Sequence, residues 1–116
     1  MYEYRATISR VVDGDTVDAV VDLGFFMTAH IRFRVYGIDT PEIRGKEKVE
    51  GLKAKQQVVD WIEGKTVVIR TEKTGKFGRW LARILFQEKE DGPVRDLTDS
   101  LISLGLGKPY YGGRKK

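Results

Sequence analysis

The sequence has no cysteine and only one histidine, His30, among its 116 residues. Without cysteine the chain cannot form disulfides, zinc–thiolate sites or iron–sulfur clusters, and it has no cysteine nucleophile. A single histidine also disfavours a metal site built from several histidines. The chemistry that remains rests on carboxylates, arginines, lysines, hydroxyls and a bound metal ion.

Long apolar runs are missing as well. The longest run near the N-terminus, residues 19–27, is interrupted by Asp22 and Gly24. It falls well short of the roughly 20 residues that a membrane span needs. After Met1 there is neither a basic start nor an apolar run, so no signal peptide is visible. We therefore expect no membrane partner and a cytoplasmic location.

The balance of charge is only modestly basic. Lysine and arginine number 21 and aspartate and glutamate 17, which gives a formal net charge of +4. This charge suits a polyanion such as nucleic acid, but it is common among ordinary proteins and decides nothing alone. The length indicates one domain, which we place at residues 1–111, with residues 112–116 as a basic, disordered tail. We expect a monomer.

Alternating apolar and polar residues predict three strands in the first third of the chain, over residues 2–12, 17–23 and 27–36. The turn Asp13-Gly14-Asp15 separates the first two strands. The predicted inner face of the third strand consists of Met27, Ala29, Ile31, Phe33 and Val35.

The rest of the chain predicts a helix, two strands and a last short helix. Apolar spacing places the first helix at residues 49–63, with a stripe formed by Leu52, Lys55, Val58, Val59 and Ile62. Strands follow at 66–72 and 80–87, and a short C-terminal helix ends at Gly105. Five strands with a helix after the third is the order of an OB-fold barrel, a mainly β, α+β fold. On periodicity alone, another five-stranded barrel or an α+β sandwich stays open.

Two aspartates fall where strand ends can bring them together. Asp15 ends the first turn, and Asp39 follows the third strand. Paired carboxylates repel and need a cation, and oxygen ligands indicate Ca²⁺ or Mg²⁺ rather than zinc. Each piece also has a structural interpretation, because Asp15 suits a turn and residues 40–42, Thr-Pro-Glu, suit a single capped helical turn.

Two arginines offer a planar fork that can hold a phosphate through two hydrogen bonds. Arg34 lies on the polar face of the third predicted strand, and Arg79 follows a glycine-containing loop. For either arginine alone, a solvated surface charge is the more ordinary interpretation in a basic protein.

Together these segments resemble the staphylococcal nuclease (thermonuclease) family over residues 6–111. The resemblance is carried by VDGDT at 12–16, Arg34 with GIDTPE at 37–42, GKFGRWLA at 75–82 and the ending at 97–106 with SLGL at 103–106. Each motif is short, but four of them in this order and spacing are a specific signal.

The resemblance implies a Ca²⁺-dependent, sequence-nonspecific nuclease that cleaves single-stranded or frayed DNA and RNA and leaves 3′-phosphates, with Mg²⁺ or Mn²⁺ left open. Asp15, Asp39 and the carbonyl of Thr40 would ligate the metal. Glu42 matches the proposed general base, and Arg34 and Arg79 match the pair that grips the phosphate.

Substrate contacts are implied at Lys76, Phe77, Tyr110 and Tyr111. Phe77 replaces a family tyrosine and can stack but cannot donate a hydrogen bond. Tyr111 matches a tyrosine that covers a base or sugar, and Tyr110 can substitute for a second tyrosine that is absent. The alternative function is a catalytically silent OB-type module that binds nucleic acid or protein. The retained acidic and arginine positions favour the enzyme.

Overall fold

Three long antiparallel strands form the first half of the structure, a computed structural model that describes residues 2–72 and 80–111. They are β1 (Glu3–Asp13), β2 (Thr16–Gly24) and β3 (Met27–Val35). Each predicted strand is confirmed within one or two residues. The alternation of buried and exposed side chains along β1 and the first part of β2 shows the two-residue period that the sequence predicted.

The second half interleaves short strands with two helices. Its elements are β4 (Gly37–Asp39), a 3₁₀ turn (Gly45–Glu47), α1 (Lys48–Ile62), β5 (Thr66–Thr71), β6 (Trp80–Phe86), β7 (Arg95–Asp96), α2 (Leu97–Ser103) and β8 (Lys108–Tyr110). Asp96 caps α2, because its carboxylate accepts a hydrogen bond from the backbone N–H of Asp99. In the described part of the chain, neither helix is long and apolar enough to cross a membrane.

A closed barrel results from the order β3-β2-β1-β5-β6 and a parallel pairing of β3 with β6. Three residue pairs, from Phe33–Trp80 to Val35–Ala82, form this seam. The five-stranded OB-fold barrel with its intervening helix and short C-terminal helix is thus confirmed. The pairs β4–β8 and β6–β7 involve strands of only two or three residues on at least one side, too short to show a period in the sequence.

Helix α1 covers the barrel with a face slightly different from the predicted stripe. The helix itself is confirmed, but its buried residues are Gly51, Ala54, Val58, Trp61 and Ile62. The predicted stripe member Leu52 is instead 43 % exposed. Small residues at 51 and 54 carried no apolar signal, yet they allow the helix backbone to lie close to the barrel.

The predicted inner face of β3 is correct only in its second half. Phe33 and Val35 are buried, whereas Ala29 and Ile31 are half-buried and Met27 is exposed. The β2–β3 hairpin is longer than the barrel, because no residue from Asp22 through Thr28 is buried. Alternation predicts which side chains share a face, but it does not predict where the core beneath that face ends.

Candidate active site

A pocket of about 300 Å³ lies where the β1–β2 turn, the end of β3 and the segment after β4 meet. Four carboxylates line it, those of Asp13, Asp15, Asp39 and Glu42. The only cationic side chain among its described lining residues is Arg34. The predicted aspartates and the first predicted arginine are therefore brought together.

Asp15 connects three segments of the pocket. Its carboxylate accepts hydrogen bonds from the Thr16 hydroxyl and from the backbone N–H of Thr40, both at 3.1 Å. One of its oxygens also lies 3.0 Å from Nη1 of Arg34. The residue is only 7 % exposed, so this carboxylate is a buried anion held by partners from the turn, from β3 and from the loop after β4.

Asp13 and Asp15 are driven to different protonation behaviour by their surroundings. Burial raises the pKa of Asp13 to about 6, and the hydrogen bond and negative charge of Asp15 add to that shift. Burial would also raise the pKa of Asp15, but hydrogen bonding with Asp13, the charge of Arg34 and the Thr40 N–H together lower it. The pocket therefore holds Asp15, which stays ionised, beside Asp13, which takes up a proton at a higher pH than an ordinary aspartate.

Arg34 reaches the pocket because it lies near the end of β3, paired in register with Thr16 at the start of β2. Besides Asp15, its guanidinium contacts the backbone oxygen of Ile38 at 3.3 Å and Oδ1 of Asp39 at 3.4 Å. Burial opposes the charged form, but the charge and hydrogen bond of Asp15 raise the pKa of Arg34 above its usual value. This arginine is a permanent, positioned cation rather than a solvated surface charge.

Thr40 packs against the β1–β2 turn through a very close approach to Gly14. A Cβ atom at Gly14 would lie 2.8 Å from Oγ1 of Thr40 and 3.0 Å from Cβ of Ala54. Only glycine fits there without displacing the loop. The alternative of a capped helical turn at residues 40–42 is wrong, because no helix begins there and Oγ1 of Thr40 is buried without a hydrogen-bond partner in the described chain.

Glu42 is held through its backbone while its side chain is exposed at the pocket. Its N–H donates to Oε2 of Glu47 in the 3₁₀ turn at 3.0 Å. Helix α1 packs directly beneath it, since a Cβ at Gly51 would lie 2.1 Å from the carbonyl oxygen of Glu42. The glycine in the helix therefore determines how close this loop can come to the barrel.

The donors at this pocket fit a hard cation. Asp15 and Asp39 line the pocket with carboxylates, and Thr40 also lines it and carries a buried hydroxyl without a hydrogen-bond partner among the residues that the structure describes. Within residues 2–72 and 80–111, no three acidic or histidine side chains cluster tightly enough to form a complete ligand set. A cation here would therefore take two carboxylates and complete its shell with neutral oxygens, as Ca²⁺ and Mg²⁺ do.

The two predicted tyrosines occupy different places. Tyr110 lines the pocket, with the guanidinium carbon of Arg34 5.5 Å from its ring centroid. Tyr111 is 65 % exposed and meets the ring of Tyr36 edge-on at 5.6 Å. Three further predicted residues, Lys76, Phe77 and Arg79, lie outside the described residues.

Two contributions to this region were missed in the sequence. Asp13 was interpreted as a turn residue, although a carboxylate two positions before Asp15 was the available signal. Arg83 contacts Asp96 at 3.1 Å and lies 5.2 Å from the ring centroid of Tyr36, the residue on which Tyr111 packs. No local motif indicated that Arg83 supports Tyr36 in this way, because Asp96 and Tyr36 come from distant parts of the chain.

Comparison with known proteins assigns the chain to a family and identifies two relatives. Residues 32–115 match the family model described as "Staphylococcal nuclease homologue". The chain is 30% identical over 111 residues to Protein ParB of Escherichia coli, covering 93% of this chain and 58% of that protein. It is 27% identical over 97 residues to the micrococcal nuclease of Shigella flexneri, covering 84% of this chain and 51% of that protein. The chain thus spans only between half and three-fifths of the length of these relatives.

Proposed function

Because the chain belongs to the staphylococcal nuclease homologue family, we propose that it is a Ca²⁺-dependent, sequence-nonspecific nuclease. It hydrolyses phosphodiester bonds of single-stranded DNA and of RNA and leaves 3′-phosphate ends. The observation that carries this proposal is the convergence of Asp15, Arg34 and Asp39 on one pocket, with 3.0 and 3.4 Å separating the arginine from the two carboxylates. One of the relatives bears the name micrococcal nuclease.

The proposed metal ligands are Asp15, Asp39 and the carbonyl of Thr40. When bound there, Ca²⁺ supplies positive charge next to the reacting phosphate and lowers the pKa of a coordinated water. The chain's own part is to orient these oxygens. The Thr40 N–H and Thr16 hydroxyl fix the Asp15 carboxylate, and the close approach of Gly14 fixes Thr40.

Hydrolysis forms a bond from a water oxygen to phosphorus and breaks the bond from phosphorus to the 5′ oxygen. The water loses a proton, which we assign to the exposed carboxylate of Glu42. The 5′ oxygen takes a proton from solvent water as it leaves, and Glu42 returns its proton to solvent, so the phosphate stays on the 3′ side. Arg34 donates hydrogen bonds to phosphate oxygens on which charge grows, and Arg79 is proposed as its partner.

Substrate capture is proposed to rest on stacking and on diffuse charge. Tyr110 at the pocket and the exposed ring of Tyr111 can stack on bases, as can Phe77, and Lys76 can approach the backbone. Stacking is worth about 1–3 kcal/mol per base and is tolerant of sequence. Such contacts require unpaired bases, which is why single strands are the proposed substrate.

The decisive experiment is digestion of an end-labelled single-stranded oligonucleotide in Ca²⁺, Mg²⁺, Mn²⁺ or chelator, with the product ends mapped. We expect cleavage in Ca²⁺, none in chelator, and products that carry a 3′-phosphate. Cleavage that is unaffected by chelator, or 5′-phosphate products, would contradict the mechanism.

The alternative is the silent binding module, which keeps the fold and loses the chemistry. Its signature is salt-sensitive binding of the same oligonucleotide while the length of the oligonucleotide stays unchanged after prolonged incubation with every metal. That result would refute the nuclease and retain nucleic-acid binding.

A further inference from the structure

A strongly apolar surface lies at the end of the β2–β3 hairpin, in the segment Leu23–Met27, which we call the hairpin tip. Its exposed fractions are 95 % for Phe25 and 107 % for Phe26, with 60 % for Met27 and 43 % for Leu23. Four of these five consecutive residues are large, apolar and exposed, which differs from the single, scattered apolar residues that are normal on protein surfaces.

The backbone of the tip is as unusual as its side chains. Phe25 and Phe26 have φ angles of 54° and 60°, in the left-handed region. A two-residue hairpin turn with two positive φ angles ordinarily carries Asn-Gly or Asp-Gly. Two phenylalanines are therefore disfavoured here both by backbone conformation and by exposure to water, so turn formation alone does not account for them.

The near absence of charged residues at the tip disfavours an anionic partner. Asp22 is the one ionisable residue in the sequence from Val20 to Ala29, and it accepts the N–H of Gly24 at 2.8 Å. Arg32, farther along β3, is already paired with Asp18 at 2.7 Å. A nucleic acid or an anionic membrane needs cations at the contact, and the tip segment supplies none.

The area of the patch suits a second copy of the chain. A phenylalanine side chain buries on the order of 200 Å². The exposed fractions of the four side chains therefore correspond to roughly 500 Å² per copy. Two tips in contact would bury at most about 1,000 Å², the lower limit for a specific interface, so the contact is expected to be weak. A two-fold axis would let the same patch serve on both partners.

We propose that the hairpin tip is a self-association surface, through which two copies of this chain form a weak, isologous dimer. The residues of the tip carry no charge, although each chain carries +4 overall. The monomer expected from the sequence is then the low-concentration state. This inference is independent of the proposed nuclease activity.

The test is sedimentation velocity of the full chain from about 1 to 500 µM, a range chosen for an interface of this small area. We expect a reversible monomer–dimer equilibrium that is maintained or strengthened by added salt, because salt screens repulsion between the two cationic chains. The double variant Phe25→Asn with Phe26→Gly should weaken the dimer at least about tenfold in Kd, since it removes both rings. Thermal unfolding of the variant checks its fold, because Asn-Gly suits this turn.

Val94→Ser is the matched control, since Val94 is 65 % exposed but lies outside the tip. It should leave the dimer unchanged. A monomeric wild-type chain over the whole range, or a dimer insensitive to the tip variant, would overturn the proposal. Tip-dependent binding to phosphatidylcholine vesicles or to a dT oligonucleotide by a chain that stays monomeric would overturn it in favour of that other partner.

The absence of cysteine permits a second, positional measurement. Spin labels on Thr28→Cys, beside the tip, should report a shorter distance between copies than labels on Ser103→Cys at the end of α2. Equal distances, or a shorter distance at Ser103, would place the contact elsewhere and contradict the proposal.

Discussion

In most proteins charged side chains are exposed and large apolar side chains are buried. The two ends of the β2–β3 hairpin depart from this pattern in opposite ways. At one end, where β2 begins and β3 finishes, Asp15 and Arg34 are charged groups removed from water and held by each other. At the other end, Phe25 and Phe26 are apolar groups exposed to water. The barrel between them follows the ordinary pattern, so these departures mark the places where the chain is adapted to something besides folding.

The two ends differ in whether partners within the chain stabilise the unusual side chains. The buried charges are satisfied within the chain, through ion pairs and hydrogen bonds whose partners come from three segments. Nothing within the hairpin tip covers its rings. The charged groups of the pocket are already stabilised by partners within the chain, so the pocket can accept a small group without further rearrangement. The exposed rings of the hairpin tip lack such partners, which is why we propose that another surface covers them.

The strongest test of the pocket end is Arg34→Ala. We expect nuclease kcat to fall by about 10²–10⁵, because a positioned arginine acts mainly on transition-state charge. The matched control is Arg32→Ala on the same strand, whose side chain is 60 % exposed and paired with Asp18. It should change kcat by less than about threefold. Equal losses in both variants would show that net charge, not position, is what matters.

Arg34→Ala should also bind Ca²⁺ more tightly than wild type, because the Arg34 guanidinium contacts the two carboxylates that would ligate the cation. Titration calorimetry measures this directly, with the arginine variant compared with wild type. Weaker Ca²⁺ binding in Arg34→Ala would contradict the assignment of Asp15 and Asp39 as ligands.

A smaller effect is expected from Gly51→Ala, which tests the support beneath the pocket. The added methyl group would lie 2.1 Å from the carbonyl oxygen of Glu42. We expect a loss of about 1–3 kcal/mol in the free energy of unfolding, measured by urea denaturation, together with reduced activity. Lys53→Ala on the exposed side of the same helix should cost under about 0.5 kcal/mol. Similar costs for both variants would refute the close packing of α1 on this loop.

At the hairpin tip, replacing Phe25 with Asn and Phe26 with Gly should stabilise the monomer. Relief of two left-handed non-glycine residues is expected to contribute about 1 kcal/mol, after the extra chain entropy of glycine is subtracted. Thermal unfolding at low protein concentration measures it. A lower melting temperature for the variant would show that the two rings contribute to the fold itself.

The smallest effect concerns pH and Asp13. Its pKa is raised to about 6 by burial and by Asp15, above the value of about 3.9 in an unfolded chain. The folded state therefore binds this proton more tightly, and its contribution to stability is present below pH 4 and is lost as pH rises to 6. Because the residue is partly exposed, we expect less than about 1 kcal/mol.

Asp13→Asn should consequently stabilise the metal-free chain at pH 7.5 and lose that advantage near pH 4. The asparagine keeps a side-chain oxygen for the N–H of Asp15, which now bonds Oδ1 at 3.1 Å. Unfolding in chelator at both pH values measures the difference. A benefit that is equal at the two pH values would contradict the titration of Asp13.

Much of the fold followed from local signals. The two-residue period predicts the long strands, and the short C-terminal helix ends before Gly105 as the sequence predicts. The same signals could not indicate that the core stops before Met27, because burial depends on which strands lie alongside. They also misplaced the buried face of α1, where packing selected Gly51 and Ala54 over the more apolar Leu52.

For the pocket, the predicted strand ends indicated that Asp15 and Asp39 meet, and the family resemblance added Arg34. The structure brings the three side chains together. Their proposed roles stay predictions, as does that of Arg79. The unpartnered hydroxyl of Thr40 and the raised pKa of Asp13 depend on burial and on partners distant in sequence. No pattern within one segment could have revealed them.

The seam between β3 and β6 has a consequence for the order of folding. Its three residue pairs join residues 33–35 to residues 80–82, and Arg34 is the middle residue of the first group. Contacts this distant in sequence can form only after a long loop has closed. A nascent or partly folded chain that lacks β6 cannot hold Arg34 in its final position. The pocket should therefore acquire its final shape, and any activity, only once β6 has paired with β3.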